Sequence, residues 1–413
     1  MKASDDSFDT GTEHQKSSLR SVFLLFLRLG CTSFGGPVAH IGYFREEFVG
    51  RRRWLSEPIF AELLALCHFL PGPASSQMGF AIGLHRAGYA GALLAFLGFT
   101  LPSALFLIAV AVGFPHVHQY IPLGFIAGLK IVALAVVAQA IWQMAKNLCP
   151  DRWRLFIMLC ACVTTALYSH VFITIVVLVL AGICSLISQP SLSAGGSDTN
   201  TLRYPPIFNA TPIVLLIFFF LLLILLPIIA GLTKIPSLNI ADVFYRTGAL
   251  VFGGGHVVLP LLQDEVMQKG WMQQDVFLAG YGLTQAVPGP LFTFAGFLGA
   301  SAELPGNPWL NGAIALLAIF LPSFLLLAGV LPFWNTLASK QSVRVALMGV
   351  NAAVVGLLLA AFYDPLFITS IHDERDFLLA LCIFCALVFW RMPVWLAVLL
   401  GALLNTGFMI LFG

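Results

Sequence analysis

Long runs of apolar residues, separated by short polar loops, dominate the pattern of the chain. Runs of helical length recur from end to end: Gly88–Phe114, Ile121–Ala145, Thr211–Leu232, Trp309–Trp334 and Val394–Phe412. Each run is long enough to cross about 30 Å of hydrocarbon as an α-helix. The pattern therefore predicts an all-α polytopic membrane protein.

Composition agrees with this prediction. Of the 413 residues, 59% are hydrophobic and only 10% are charged, whereas a soluble protein of this size needs far more charge on its surface. The expected surroundings are a lipid bilayer. The formal net charge of +2 gives no indication of a nucleic-acid partner, and none is expected.

The chain also contains an internal repeat. Residues 26–48, FLRLGCTSFGGPVAHIGYFREEF, align with residues 244–266, FYRTGALVFGGGHVVLPLLQDEV. Further matches follow in the same order: Trp54 with Trp271, Pro71-Gly72-Pro73 with Pro288-Gly289-Pro290, Gly79 with Gly296, and Leu101-Pro102-Ser103 with Leu321-Pro322-Ser323. Such order predicts two homologous transmembrane repeats, at residues 17–187 and 239–413.

The remaining segments complete the predicted organisation. Residues 1–16 are polar and are expected to form a disordered cytoplasmic tail. Residues 188–238 combine a polar linker, Ser188–Pro206, with one extra apolar segment, Thr211–Leu232. If each repeat crosses the membrane an even number of times, one added crossing makes the second repeat enter from the opposite side.

Loop charges support this inversion, because positive residues favour the cytoplasmic side. In the first repeat, loops 45–54 and 146–154 are basic, and in the second the corresponding loops 263–271 and 372–376 lean acidic. Conversely, the basic loop 339–344 corresponds to a loop without Lys or Arg. The sequence predicts inverted-topology repeats in a plasma or inner membrane, with the N-terminus in the cytoplasm.

Each repeat carries two helix-breaking motifs inside apolar sequence. These are Phe-Gly-Gly at 34–36 and 252–254, and Pro-Gly-Pro at 71–73 and 288–290. The apolar pieces that flank 71–73 are each too short to span a bilayer. Two arrangements stay open, a re-entrant hairpin of two half-helices or a single broken spanning helix.

Broken helices in a membrane expose backbone groups, and these are tolerated where they are buried or line a polar cavity. Pro73 is suited to start a half-helix, whose unpaired N–H groups would belong to residues 74–77. Such an end favours an anion, and similar ends are expected at Gly35-Gly36-Pro37, near Gly253–Gly255 and after Pro290. Paired breaks in two repeats are typical of a transporter's binding site.

The few charges inside apolar runs also indicate an anionic substrate. Arg28 and Arg246 occupy equivalent positions of the two repeats, and Lys130 lies in the middle of another run. No Asp or Glu stands deep in an apolar run, which disfavours a proton or cation pathway on buried carboxylates. The alternative is that the arginines reach the interface or cap half-helices, and that Lys130 lies near an interface.

Polar side chains near the breaks allow two interpretations as well. His40 and His256 either pack with ordinary hydrogen bonds or carry protons. Ser33, Ser75 and Ser76 either bind substrate or satisfy the backbone groups that the breaks release.

The motifs closely resemble those of the chromate transporter (CHR) family in its long, two-domain form. The resemblance is carried by FGGPVAHIGYFREEFV, RRWLSEPIFAELLALCHFLPGPASSQ, FGGGHVVLPLL and GWMQQDVFLAGYGLTQAVPGP, and it covers nearly the whole chain. It implies a secondary transporter that exports chromate, driven by the membrane potential, and so confers chromate resistance. The motif residues carried over by position include Phe34, Pro37 and Phe252.

One departure concerns the second Pro-Gly-Pro, where Leu291-Phe292-Thr293-Phe294 replaces the Ser75-Ser76-Gln77 of the first. We therefore expect most side-chain contacts in the first repeat, with backbone dipoles, His256 and Gln285 from the second. The complete set of candidate binding residues is Arg28, Ser33, Gly35, Gly36, His40, Pro71, Gly72, Pro73, Ser75, Ser76, Gln77, Lys130, Arg246, Gly253, Gly254, Gly255, His256, Gln285, Pro288, Gly289 and Pro290.

Physical chemistry alone does not select chromate, because sulfate is a tetrahedral dianion of similar size. Two alternatives stay open. One is a carrier of sulfate or another oxyanion, which could also work as an importer, and the other is a passive anion channel. An enzyme is disfavoured because the sequence shows no nucleophile–base set and no metal-ligand cluster. No phosphate-binding G-x-x-x-x-G-K-[ST] motif is present, and no cofactor is expected. A homodimer is one assembly compatible with the sequence.

Overall fold

The computed structural model describes residues 18–117, 120–168, 171–188, 210–252 and 255–412. Regular structure in these residues is entirely helical, as predicted. The predicted tail 1–16, nearly all of the polar linker, and Gly253 and Gly254 lie outside the described residues.

Seven helices form the first repeat, followed by one extra helix. Their bounds are α1 Leu19–Thr32, α2 Gly36–Arg45, α3 Glu57–Phe69, α4 Ala74–Val117, α5 Leu123–Leu148, α6 Arg152–Leu167, α7 Val171–Ser188 and the extra helix α8 Thr211–Thr233. The second repeat follows the same order with more interruptions. Its helices are α9 Pro236–Leu250, α10 Val258–Gln268, α11 Gln274–Thr284, α12 Phe294–Ser301, α13 Pro308–Val330, α14 Trp334–Ala338, α15 Gln341–Ala361, α16 Ile368–Ser370, α17 Glu374–Val388 and α18 Val394–Phe412.

Six helical segments of the described chain are long and apolar enough to cross a membrane. They are Ala74–His116, Leu123–Leu148, Thr211–Thr233, Pro308–Phe333, Gln341–Ser370 and Val394–Leu411. All five apolar runs singled out in the sequence fall on these segments. The protein is therefore an all-α, multi-pass membrane protein.

Helix α4 is two helices joined at a sharp reversal. Ala87 and Gly88 have non-helical backbone angles, and a Cβ added to Gly83 would touch both the Gly91 carbonyl and Ala95. Residues 83 and 95 would be about 18 Å apart in a straight helix, so the chain must turn back. The N-terminal arm, 74–87, is about 21 Å long and too short to span the bilayer alone.

The second repeat builds the same hairpin from separate helices. Helix α12 corresponds to the N-terminal arm of α4, and α13 corresponds to its C-terminal arm. Gly299 of α12 packs on the Asn311 backbone and on Ala315 of α13. The small residues allow the two helix axes to approach closely.

The two repeats exchange their last helices. Helices α6 and α7 of the first repeat pack on α15 of the second, while α17 and α18 of the second pack on α5 of the first. Ser185 Oγ donates to the Val345 carbonyl at 2.7 Å, and Asn405 Nδ2 donates to the Gly124 carbonyl at 3.0 Å. As a result, the repeats share one hydrophobic core.

Aromatic rings form much of the seam between α4 and α13. Phe80 stacks on Phe324 with ring centroids 4.5 Å apart, and Phe96 lies 5.1 Å from Phe320. Helix α8 lies outside this seam against α9 and α13. Only 11% of its apolar stretch is buried inside the protein. This exposure suits a helix that faces lipid.

Candidate functional site

The four breaks meet in pairs, and each pair joins the two repeats. The Gly72 N–H donates to the Val251 carbonyl at 2.7 Å, and the Gly289 N–H donates to the Ser33 carbonyl at 3.0 Å. Gly72 and Gly289 are equivalent in the two repeats, as are Val251 and Ser33. Each Pro-Gly-Pro turn therefore contacts the residue just before the Phe-Gly-Gly of the other repeat. We call the Gly289–Ser33 contact the first junction and the Gly72–Val251 contact the second junction.

A serine of each Leu-Pro-Ser motif completes each junction. A Cβ added to Gly289 would meet Ser103, and one added to Gly72 would meet Ser323. Both glycines also have left-handed backbone angles, with φ of 103° and 122°, which side chains rarely allow. Ser103 Oγ donates to the Thr100 carbonyl at 3.1 Å, and Ser323 Oγ donates to the carbonyl three residues earlier at 2.8 Å.

Half-helices start at the breaks of the first repeat, as the sequence predicted. Helix α4 begins at Ala74, directly after Pro73, and α2 begins at Gly36 after a left-handed Gly35. One prediction needs correction, because the Gln77 N–H donates to the Pro73 carbonyl at 2.9 Å. The N–H groups that the helix leaves without such a bond are those of residues 74–76.

Several of the buried polar atoms that lack a hydrogen-bond partner lie at the junctions and breaks. In the first repeat these are Ser33 Oγ, His40 Nδ1, Ser76 Oγ, Gln77 Oε1 and Thr100 Oγ1. Each of these residues is at most 2% exposed. Buried polar groups are nearly always paired, so unpaired atoms beside both junctions indicate groups that are available to a ligand or to water.

Two of these side chains are held in place by their other polar atom. His40 Nε2 donates to the Ser33 carbonyl at 3.1 Å, so the same carbonyl serves both His40 and Gly289. Gln77 Nε2 donates to the Pro71 carbonyl at 2.8 Å, which folds the amide back over the Pro-Gly-Pro turn. The hydroxyls can donate to an anion, and the half-helix start adds backbone donors.

The second repeat presents a less polar surface at its breaks. Its helices begin with 3₁₀ turns, Gly255–Val257 and Leu291–Thr293, and Gly255 lies against Pro37 and Leu291. His256 Nδ1 and Tyr281 Oη are 2.8 Å apart. Gln285, one turn further along, has a buried and unpartnered Nε2. Among the described residues, fewer unpartnered polar atoms lie at these breaks than at those of the first repeat.

The three cationic candidates have different surroundings. Lys130 is buried, and its Nζ lies 3.0 Å from Asp275 Oδ1 of α11, a bond that ties the two repeats together. Arg28 is exposed on α1 and lines a surface cavity. Contact between any of the three cations and substrate remains a prediction.

Arg246 is held by two acidic residues. Its Nε donates to Asp242 Oδ1 at 2.8 Å, and its Nη1 donates to Glu265 Oε1 at 2.7 Å. Both carboxylates are buried, with side chains 7% and 10% exposed. Arg246 is therefore neutralised within the protein.

The sequence interpretation missed several of these polar residues. Asp242 stands four residues before Arg246, a spacing that places both on one face of a helix and could have signalled their pairing. Ser103 and Ser323 belong to the repeated Leu-Pro-Ser motif, and this repetition could have marked them. Thr100 has no matching polar residue in the second repeat and gave no such signal.

Comparison with known proteins agrees with the repeat and its motifs. The family profile described as "Chromate transporter" matches residues 20–186 and 238–406. A probable chromate transport protein of Synechococcus elongatus is 28% identical over 391 residues, which is 92% of each chain. A chromate transport protein of Pseudomonas aeruginosa is 28% identical over 375 residues, covering 86% of this chain and 82% of the relative.

A third relative, a chromate transport protein of Cupriavidus metallidurans, is also 28% identical over 375 residues, covering 86% of this chain and 85% of its own. No solved structure matches the chain. The profile covers both repeats, including all four breaks. The chain belongs to the chromate transporter family, a family of membrane transporters.

Proposed function

We propose that this protein is a secondary-active carrier that exports chromate and binds the dianion beside the two junctions. The relatives named above, one probable chromate transport protein and two chromate transport proteins, match this chain over most of their length. The observation that carries the proposed site is the set of buried, unpartnered hydroxyls of Ser33, Ser76 and Thr100.

Hydroxyls and backbone N–H groups suit a tetrahedral oxyanion. Such an ion has four oxygen atoms that accept hydrogen bonds, and it must exchange its hydration shell for protein donors. Ser33, Ser76 and Thr100 supply hydroxyl donors, and the start of α4 supplies N–H groups with a partial positive charge. A site that relies on such neutral donors can hold the anion without trapping it.

The membrane potential is the proposed driving force. In a cell that is negative inside, outward movement of each negative charge gains about 2.3 kcal/mol per 100 mV. A dianion therefore gains about 4.6 kcal/mol per 100 mV if it moves without a compensating charge. We further propose that the repeats have inverted topology and the N-terminus is cytoplasmic, in a plasma or inner membrane.

The direct test is transport into inside-out vesicles with an imposed potential. We expect saturable chromate uptake that rises when the vesicle interior is made positive. Sulfate is measured in parallel, since the same donors fit it. Vesicles that accumulate sulfate and ignore chromate would overturn the proposed substrate, and conductance without saturation or counter-transport would indicate a channel.

The site itself is tested with Gln77→Ala. We expect the chromate transport rate to fall at least tenfold, because the variant loses the amide that covers the Pro71–Pro73 turn and a buried polar group costs about 1–3 kcal/mol when its partner is removed. Gln139→Ala is the matched control, since Gln139 also donates to a backbone carbonyl, that of Leu387 at 3.4 Å, but on α5. Equal rates in the two variants would remove Gln77 from the proposed site.

A further inference from the structure

A cationic surface cavity lies beside α1. A surface cavity of about 380 Å³ is lined by Arg20, Arg28 and Arg52 together with the serines Ser18 and Ser21. None of its lining residues is acidic. Arg52 Nε donates to Glu47 Oε1 at 2.7 Å, but in the described part of the chain no carboxylate pairs with Arg20 or Arg28.

The second repeat does not reproduce this cavity's charge. Arg246, the equivalent of Arg28, is neutralised by Asp242 and Glu265. In the first repeat, an apolar Leu24 occupies the position of Asp242. Glu47, the equivalent of Glu265, is already engaged with Arg52.

Two of the other lining positions differ in the same direction. The repeat alignment places Leu238 at the position of Arg20 and Pro236 at that of Ser18. In the described residues, the first repeat therefore has two arginines without a carboxylate partner, Arg20 and Arg28, and the equivalent positions of the second repeat do not. If Arg28 and Arg246 had only a structural role, we would expect carboxylates to neutralise both of them.

We propose that this cavity is a recruiting site for a free tetrahedral dianion, used before the anion reaches the junctions. Arginine forks and serine hydroxyls both donate to oxyanion oxygens, and a concave cationic surface raises the local anion concentration. Arg28 stands five residues before Ser33, about 7.5 Å along the α1 axis, so the cavity lies on the same helix as the first junction.

This inference rests on the proposed function for the identity of the anion, but binding can be measured separately. The test uses the full chain in phosphatidylcholine proteoliposomes, with Arg20→Gln, Arg28→Gln and the double variant. Arg344→Gln is the matched control, because Arg344 is exposed but does not line the cavity. Initial chromate rates are recorded over a range of concentrations at about 20 mM and about 300 mM salt.

We expect the KM for chromate to rise on the order of fivefold in each single variant at low salt. The difference should shrink at high salt, because the Debye length shortens. Arg344→Gln should match the wild type at both salt concentrations. If the wild type transports chromate and the variants keep its KM and its salt dependence, the recruiting site is overturned. The proposed function is not affected by that outcome.

Two further measurements distinguish a bound free anion from a bound lipid headgroup. Labelled sulfate is bound to the protein in phosphatidylcholine nanodiscs, and we expect weaker binding in the double variant even if transport fails. A lipid phosphate has related chemistry, so transport is repeated with phosphatidylglycerol added. If the variants differ from the wild type only when phosphatidylglycerol is present, the arginines hold lipid headgroups and the inference is overturned.

Discussion

At the scale of single residues, the two junction glycines are positions where both the backbone angle and the available space disfavour a side chain. Gly72 and Gly289 have positive φ angles, and an added Cβ would overlap Ser323 or Ser103. We expect Gly72→Ala and Gly289→Ala each to lower the free energy of unfolding by about 1–3 kcal/mol. Thermal unfolding of the protein in nanodiscs measures this.

Gly42 offers the matched control for these substitutions. It lies on α2, and a Cβ added there would meet nothing within 4 Å. Gly42→Ala should leave the stability unchanged or raise it by up to about 1 kcal/mol, since alanine favours the helix. Junction variants as stable as Gly42→Ala would contradict the tight contact between the repeats.

The arginines show what single residues in the sequence could and could not predict. The repeat correctly marks Arg28 and Arg246 as equivalent, and their apolar surroundings suggest one shared role. The structure separates them, because Asp242 and Glu265 reach Arg246 while Leu24 replaces the acidic partner beside Arg28. Charge pairing depends on neighbours across helices, which the alignment of a repeat does not display.

At the scale of helices, small residues fix the exchange between the repeats. Gly128 of α5 lies against Ala402 of α18, and Gly349 of α15 lies against the backbone of Ala181 in α7. We expect Gly128→Leu and Gly349→Leu each to destabilise the protein by about 1–3 kcal/mol, because there is no space for the larger side chain. The readout is the melting temperature in nanodiscs.

Gly231→Leu on α8 is the control for these two variants. Nothing lies within 4 Å of a Cβ added at Gly231, and a leucine on this lipid-facing helix should be tolerated. If all three variants have the same melting temperature, the exchanged helices are not held by close packing at Gly128 and Gly349.

The helices themselves were largely predictable, but their exchange was not. Apolar run length and the Pro and Gly motifs identify α5, α8, α13 and α18 and all four breaks. They do not state which repeat a terminal helix packs on, since the small residues of α5 and α15 suit any close helix. The reversal at Ala87–Gly88 lies where the short apolar piece of the sequence ends, at His85 and Arg86, and where the apolar run Gly88–Phe114 begins.

At the scale of the whole molecule, the junctions and the exchanged helices tie the two repeats into one unit. Each junction combines a Pro-Gly-Pro turn of one repeat with the backbone before the Phe-Gly-Gly of the other. In carriers built from inverted repeats, access alternates when one bundle moves against the other around a central site. The proposed site beside both junctions would then be the central site around which the two repeats move.

Inverted topology can be tested directly at one pair of equivalent positions. Arg51 and Lys269 lie in corresponding loops of the two repeats, and both are exposed. In a cysteine-free background, we expect Arg51→Cys to react with a membrane-impermeant maleimide from the cytoplasmic side and Lys269→Cys from the opposite side. Arg344→Cys provides the reference, because its basic loop should share the side of Arg51. Labelling of Arg51→Cys and Lys269→Cys from one side would show parallel repeats, and an export pathway between opposed half-helices would then lose its basis.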